Sequence, residues 1–474
     1  MGGSSGSSDE LISRDLAVFW HPCSQMHDYR DFPPLVVVGA RGLRLRLDDG
    51  REILDGISSW WCKSFGHGHP HLRQALLAQA DAFEHVITAN TTSAPLVRLC
   101  ERLLAAANGQ PPTTWSARAS AGRRSGHFGK VFLADNGSTA VEIALKMAVQ
   151  AQAQRGQPGR THLAALQNGY HGETVATLSV GDCGLYADPY RALMFPVSKL
   201  SGLPYRSGPT AADWMDAAAE WPAIEAQLSA VADRLAAVIY EPVLQAAGGM
   251  RLYSPDLLRR LRAWATDHGV YLIADEIAAG LGRCGAILAS HLASHLDHSA
   301  LPDFAVLSKG LTGGFLPLSA VLTTDEIAAL FDADYGAGRA FLHSNTYTGN
   351  ALGVAVANAA LDLFTDEDIL CAVATNGPRL AAGLAGLASS RSFVRNVRGC
   401  GMVAAVDLCD ADGGPLDPRR RTGYAVYREA VGRGALLRPL GDTMYLFPPL
   451  NTSPGDIDAL VTVLGDSVDA VLRG

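Results

Sequence analysis

The sequence predicts an α/β protein: a large, mostly parallel sheet flanked by helices, joined to a smaller α+β domain. Three observations carry this. From Lys130 to about Thr323, short apolar runs alternate with helical patterns, as in repeated strand–helix–strand units. Several runs, such as Val-Tyr-Leu-Ile-Ala at 270–274 and Phe-Ala-Val-Leu at 304–307, are apolar at every position, as strands covered on both faces are. Beyond 370 the pattern changes to helices mixed with short alternating strands.

Taken in order, residues 1–10 lack the basic and apolar regions of a signal peptide and read as a disordered tail. Residues 11–65 read as an N-terminal segment of the small domain. Within them, 35–55 predicts short strands around a turn, because Leu43-Arg-Leu-Arg-Leu-Asp-Asp-Gly50 alternates as a half-exposed hairpin does. The large domain is assigned to 66–365. Gly66-His-Gly-His-Pro70 breaks the chain before a helix over 71–86, and a second helix follows over 94–107. Residues 108–128 are rich in Gly, Pro, Ser, Thr and Arg and predict an exposed loop, with Arg118, Arg123 and Arg124 solvated rather than gathered as an anion patch. Strands are expected at 131–134, 162–166, 236–240, 270–274, 304–307 and 318–322, and an alanine-rich helix beyond Asn350. The C-terminal small domain, 366–474, carries strands near 402–408, 435–438 and 443–447.

At 474 residues the chain can bury a large core. A composition of 48% hydrophobic and 18% charged residues suits a packed soluble enzyme and excludes a disordered or fibrous chain. A net charge of −8 argues against a nucleic-acid partner. No apolar run approaches the roughly 20 residues that a membrane span needs. The eight cysteines are scattered without Cys-x-x-Cys spacing, so neither a disulfide framework nor a zinc site is expected, and a reducing cytoplasm is the simplest location.

The chemistry is concentrated where strands end, since open α/β sheets bind ligands beyond the carboxyl ends of their strands. Lys309 closes one apolar run and precedes a glycine-rich turn, Gly310-Leu-Thr-Gly-Gly314; Asp275 closes another. A lysine amine can form a Schiff base with an aldehyde, and a carboxylate can keep a pyridine nitrogen protonated. Delivered together, the two suit pyridoxal 5′-phosphate (PLP). Taken separately, Asp275 could cap a helix and Lys309 could reach solvent. Asp135-Asn-Gly-Ser-Thr-Ala-Val-Glu142 follows a strand and opens a helix, which makes a phosphate site, although Ser138 and Glu142 also approximate a capping box. In Asn168-Gly-Tyr-His-Gly-Glu173, Tyr170 can lay its ring on a flat heterocycle or simply border a turn. Arg438 suits capture of a carboxylate, or is an ordinary exposed arginine. Trp60 and Trp61 form a core pair or the wall of an apolar channel. His67, His69 and His71 alternate without a carboxylate or cysteine to complete a metal set, so no metal is expected.

These segments, with Asp275-Glu-Ile-Ala-Ala-Gly-Leu-Gly-Arg283, Ser308-Lys-Gly-Leu-Thr-Gly-Gly314 and Asn136-Gly-Ser-Thr-Ala-Val-Glu-Ile-Ala-Leu-Lys146, resemble class-III PLP-dependent aminotransferases of fold type I, from about residue 11 to 470. Trp20-His-Pro, Ser58-Ser-Trp-Trp61, Glu241-Pro, Ala247-Gly-Gly-Met250, Thr346-Tyr-Thr-Gly-Asn350 and Leu437-Arg-Pro with Tyr445-Leu-Phe-Pro-Pro449 narrow the resemblance to the biotin-pathway branch. That resemblance implies transamination of 8-amino-7-oxononanoate to 7,8-diaminononanoate, with S-adenosylmethionine or, in some members, lysine as donor. It also implies residue roles. Lys309 binds PLP covalently, Asp275 pairs with the pyridine nitrogen, and Tyr170 stacks on the ring or borders the substrate. Gly137 and Ser138 hold the phosphate together with Thr346 of the partner subunit, so that a homodimer shares its active sites. Trp60 and Trp61 line the substrate tunnel, Arg438 holds the substrate carboxylate, Tyr445 belongs to the same end, and Ser344 matches a contact position. Cys23 stands where the family pattern after Trp-His-Pro has a tyrosine, so that phenol contact is absent or supplied by another group. Thr92-Ser-Ala-Pro95 and Ser344-Asn-Thr346 also depart from the common spellings. Two other readings remain: an ω-amino acid:pyruvate aminotransferase sharing every PLP residue, and a noncatalytic ligand-binding protein retaining the fold.

Overall fold

The computed structural model describes residues 8–115, 127–294 and 300–473. Seven strands form its central sheet: β1 (Lys130–Ala134), β2 (His162–Leu166), β3 (Ser198–Leu200), β4 (Leu235–Tyr240), β5 (Tyr271–Asp275), β6 (Phe304–Leu307) and β7 (Ser319–Thr323). They lie in the order β1-β7-β6-β5-β4-β2-β3. All residues of β4, β5, β6 and β7 are buried, which explains the apolar runs that make up most of each. The strands from β6 to β3 run parallel to their neighbours, whereas β7 is antiparallel to both β6 and β1. The sheet is therefore mostly parallel, with one reversed strand. Helices such as Gly137–Gln154 and Asp256–His268 cover it; the second ends on Gly269 at φ 63, a left-handed stop that glycine adopts without strain.

The expected strands are present within a residue or two. The helix over 94–107 has those bounds, and the one expected over 71–86 spans Pro70–Ala82, ending where Phe83 turns extended. Five strands went unread, three of them the short members of a small antiparallel sheet, Tyr205–Arg206, Leu244–Gln245 and Arg251–Tyr253. β3 is a three-residue edge strand, Ser-Lys-Leu. Val394–Cys400 carries arginines and a bulge between Arg395 and Arg398, with Asn396 at φ 53, so its alternation is broken. The expected tail also needs correction at its end, because a helix spans Ser8–Val18. The arginines Arg118, Arg123 and Arg124 lie outside the described residues. Within the expected 108–128 loop, Pro112–Thr114 forms a 3₁₀ turn and Trp115 is buried.

The N-terminal strands Val37–Arg41, Arg44–Leu47 and Glu52–Asp55 form an antiparallel meander, and Ala435–Leu436 adds to it in parallel. That pairing ties the start of the chain to its C-terminal part. There, Val394–Cys400, Val403–Leu408 and Thr443–Leu446 make a further antiparallel sheet under helix Ile369–Ser390, on which Pro454–Leu472 packs in turn. No helix among the described residues is long and apolar enough to cross a membrane.

Candidate active site

The loops that leave the carboxyl ends of β1, β2, β4, β5 and β6 close around a cavity of about 240 Å³. Asp275 is the last residue of β5 and 3% exposed. Its Oδ1 accepts the Ile277 N–H at 3.1 Å, and its Oδ2 faces His171 Nδ1 at 2.8 Å. The carboxylate is thus fixed from two sides. His171 escaped the sequence reading; its one signal was its place beside Tyr170 in the loop after β2. Its Nε2 is buried without a hydrogen-bond partner among the described residues.

Lys309 follows β6 and shares the cavity with Asp275. Its φ of 30 is unusual for a side chain of this size, and such strain gathers at functional sites. Burial pushes the ammonium below its ordinary pKa, and the charges of Asp275 and Glu241 only partly offset that. Glu241, just beyond β4, accepts the N–H of Tyr170 at 3.1 Å and of Ala246 at 3.0 Å. Burial, and then the charge of Asp275, drives its carboxyl well above the usual range.

At the other end of the cavity lies the N-terminus of helix Gly137–Gln154. Asn136, not Ser138, is its cap, accepting the Thr139 N–H at 3.1 Å, and Ser138 lines the cavity instead. The backbone comes close here. A Cβ on Gly137 would sit 2.8 Å from Ile277 Cδ1, and one on Gly172, at φ 125, would sit 2.1 Å from Ser138 Oγ.

An aromatic wall flanks this cavity. Ser58, Ser59, Trp60 and Trp61 have φ values of 50, 48, 86 and 71, a left-handed turn built without glycine. Each such residue costs roughly 1–2 kcal/mol. The turn sends Trp61 into the cavity, its ring 5.2 Å from Lys309 Nζ and its Nε1 donating to the Tyr445 hydroxyl at 3.1 Å. Trp60 is 43% exposed beside it, with the Arg438 guanidinium 4.9 Å over its ring. Arg438 also donates to the Cys23 carbonyl. Tyr170 lines the cavity; its hydroxyl donates to Glu173 at 2.9 Å, and its ring meets Tyr186 edge-on at 5.7 Å.

The fold therefore gathers Lys309, Asp275, Tyr170, Gly137, Ser138 and Trp61 around one cavity, with Tyr445 against Trp61 and Arg438 against Trp60. Ser344 and Thr346 are exposed on the loop before helix Ala351–Asp366 and do not line the cavity of their own chain. The three alternating histidines each meet a different carboxylate: His67 with Asp55, His69 with Glu367 and His71 with Asp362.

This donor set fits PLP. The glycine cradle and the amide-rich helix start suit a phosphate, the braced carboxylate suits a protonated ring nitrogen, and the desolvated amine suits a carbonyl. The chain belongs to the class-III aminotransferases, whose family profile matches residues 25–468, and is a PLP-dependent transferase of amino groups. Among its relatives is the adenosylmethionine-8-amino-7-oxononanoate aminotransferase of Helicobacter pylori, 36% identical over 471 residues that cover 98% of this chain and 99% of that one. The crystal structure of the enzyme of that name from Methanocaldococcus jannaschii superposes with a TM-score of 0.87 at 30% identity, covering 98% of this chain and 100% of the other. An amine transaminase from an uncultivated Pseudomonas species, solved with PLP bound, gives a TM-score of 0.83 at 31% identity over 96% and 99% of the two chains.

Proposed function

We propose that this enzyme converts 8-amino-7-oxononanoate to 7,8-diaminononanoate for biotin synthesis, with S-adenosylmethionine as amino donor. One juxtaposition supports the reading most: Arg438 stands at the far end of an aromatic wall that begins with Trp61 beside Lys309. A cation there suits a substrate whose reacting carbonyl and terminal carboxylate are separated by an apolar chain. Full-length likeness to relatives named for this reaction points the same way.

When bound, PLP supplies a carbonyl that exchanges amino groups and a ring that accepts an electron pair. Asp275, oriented by His171 and the Ile277 amide, would hold the ring nitrogen and favour its protonated form. Lys309 would hold the cofactor covalently, and its amine, when free, would take the proton from the donor Cα and return it on the other side of the transfer. Its lowered pKa favours the neutral form that this work needs. Gly137 and Ser138 hold the phosphate, joined by Thr346 of the partner subunit. Tyr170 borders the ring and substrate. Trp60 and Trp61 exclude water along the apolar chain, Arg438 binds the carboxylate, and Tyr445 and Ser344 complete the substrate contacts. The same reading includes a cytoplasmic homodimer with shared active sites, and the chain division proposed at 65 and 365.

Purified enzyme incubated with the keto-amino acid and S-adenosylmethionine is expected to form the diamine. Lysine, and pyruvate paired with an ω-amine, serve as parallel arms. Turnover confined to the ω-amine and pyruvate arm would replace this reading with that of an ω-amino acid:pyruvate aminotransferase, and absence of a visible cofactor band with that of a noncatalytic binding protein.

A further inference from the structure

The left-handed turn at 58–61 needs something to hold it, because four successive non-glycine residues at positive φ do not persist unaided. The buried carboxylate of Asp55, 1% exposed, lies against it. Asp55 Oδ1 accepts the N–H of Ser59 at 2.9 Å and of Ile57 at 3.4 Å, and its Oδ2 accepts the Ser59 hydroxyl at 2.6 Å. His67 Nε2 closes on the same Oδ2 at 2.8 Å. Burial works against this charge, yet His67 and Ser59 together keep the carboxyl below its ordinary pKa.

A serine, a histidine and an aspartate in contact raise the question of nucleophilic chemistry. The geometry excludes a relay: Ser59 Oγ bonds directly to Asp55, and the same histidine nitrogen faces both, 3.3 Å from Ser59 Oγ. In a relay the imidazole stands between the two and uses both of its nitrogens. Asp55 bonds to backbone as well as to side chain, which is the pattern of a brace.

We propose that Asp55, held by His67, is a positioning residue for the keto substrate: it fixes the left-handed turn that places Trp60 beneath Arg438 and Trp61 beside Lys309. The proposal rests on the substrate reading above. Lys309 and Asp275 are anchored by β6 and β5, so loosening the turn leaves them in place. Arg438 is different. It is steadied by the Trp60 ring and the Cys23 carbonyl, and loses the first when the turn relaxes. The end of the site that reads a carboxylate is therefore the end that suffers.

The test compares Asp55→Asn, His67→Ala and His67→Gln in the PLP-loaded enzyme. Asp55→Asn and His67→Ala are expected to raise KM for the keto-amino acid about tenfold, the effect of one lost charge-assisted contact. The kcat, the KM for the amino donor and the visible absorbance at Lys309 should stay near wild type. His67→Gln, whose amide still donates to Asp55, should restore KM. Near-UV circular dichroism supplies a readout independent of substrate: Asp55→Asn should change the tryptophan signal, and the change should vanish in a Trp60→Phe, Trp61→Phe background. An equal rise in both KM values, an unaltered keto-acid KM, or loss of stability alone would overturn the positioning role. If wild-type enzyme does not accept the keto-amino acid, the substrate reading fails, and the dichroism comparison alone decides whether Asp55 fixes the turn.

Discussion

Lys309 and Asp275 line one small cavity, and their surroundings treat the two groups differently. The amine is desolvated toward its neutral form, and the acid is braced by an imidazole and an amide. Lys309→Ala is expected to lower steady-state turnover by at least about 10²- to 10⁴-fold, the usual worth of a positioned proton carrier, with an unchanged far-UV spectrum. Retained turnover would refute its role. Arg438→Ala should remove about 1.5–3 kcal/mol of carboxylate binding, raising KM for the keto-amino acid while leaving the S-adenosylmethionine half-reaction alone. Single-turnover kinetics of the two half-reactions separate these effects. At this scale the sequence was most legible where chain direction alone fixed the answer, since a residue that closes a buried parallel strand has one place to go. His171 was not legible, because nothing in a linear reading says which strand end its ring will face. Asp55 was hidden for a similar reason: its partners Ser59 and His67 are local, but the backbone twist that gives them purpose is invisible in the letters.

Among elements, the turn that follows β5 carries the clearest pH signature. Glu276 is buried and accepts the N–H groups of Ala289 at 2.7 Å and Ser290 at 2.9 Å, and the Ser290 hydroxyl at 2.6 Å. Burial nevertheless pushes its carboxyl up to about 7, and Asp275 adds to that. A raised acid binds its proton more tightly in the folded state than in the unfolded chain. Its contribution is therefore full below about pH 4.5 and is lost as pH rises toward about 7. The difference is on the order of 3 kcal/mol. Urea unfolding of wild type and Glu276→Gln should show a stability that declines from pH 5 to pH 8 in the first and a flatter profile in the second. Parallel slopes would mean that Glu276 is ionised throughout. Element reading succeeded for fully apolar strands and failed for Val394–Cys400, where Arg398 is buried and bonds across the sheet rather than to solvent. Arg398 reaches the carbonyls of Gly249 and Met250 and the carboxylate of Asp407, so a charged letter there marks a bridge.

For the whole molecule, large apolar side chains remain exposed on one chain, among them Trp20, Ile87, Leu342 and Tyr347, and Thr346 stands away from its own cavity. The proposed homodimer accounts for both. It predicts a dimer by sedimentation at micromolar concentration, and a specific activity and melting temperature that fall together on dilution below the dissociation constant. A monomer with undiminished activity would remove the shared-site part of the proposal. How the C-terminal part closes on the N-terminal strands was only half legible: the segments could be assigned to one small domain, but not the parallel pairing of Ala435–Leu436 with Glu52–Asp55.

The reversed strand β7 has its own consequence. Because it starts where β6 stops, the connection from Ser308 to Leu318 never crosses to the back of the sheet. Ser308 and Lys309 line the cavity, while Leu311, Thr312 and Leu318 turn into the core and Gly310, Gly313 and Gly314 pack closely on Ser64, Leu72 and Cys62. That close packing makes the short connection a rigid mount, holding the lysine on the cavity's side of the sheet.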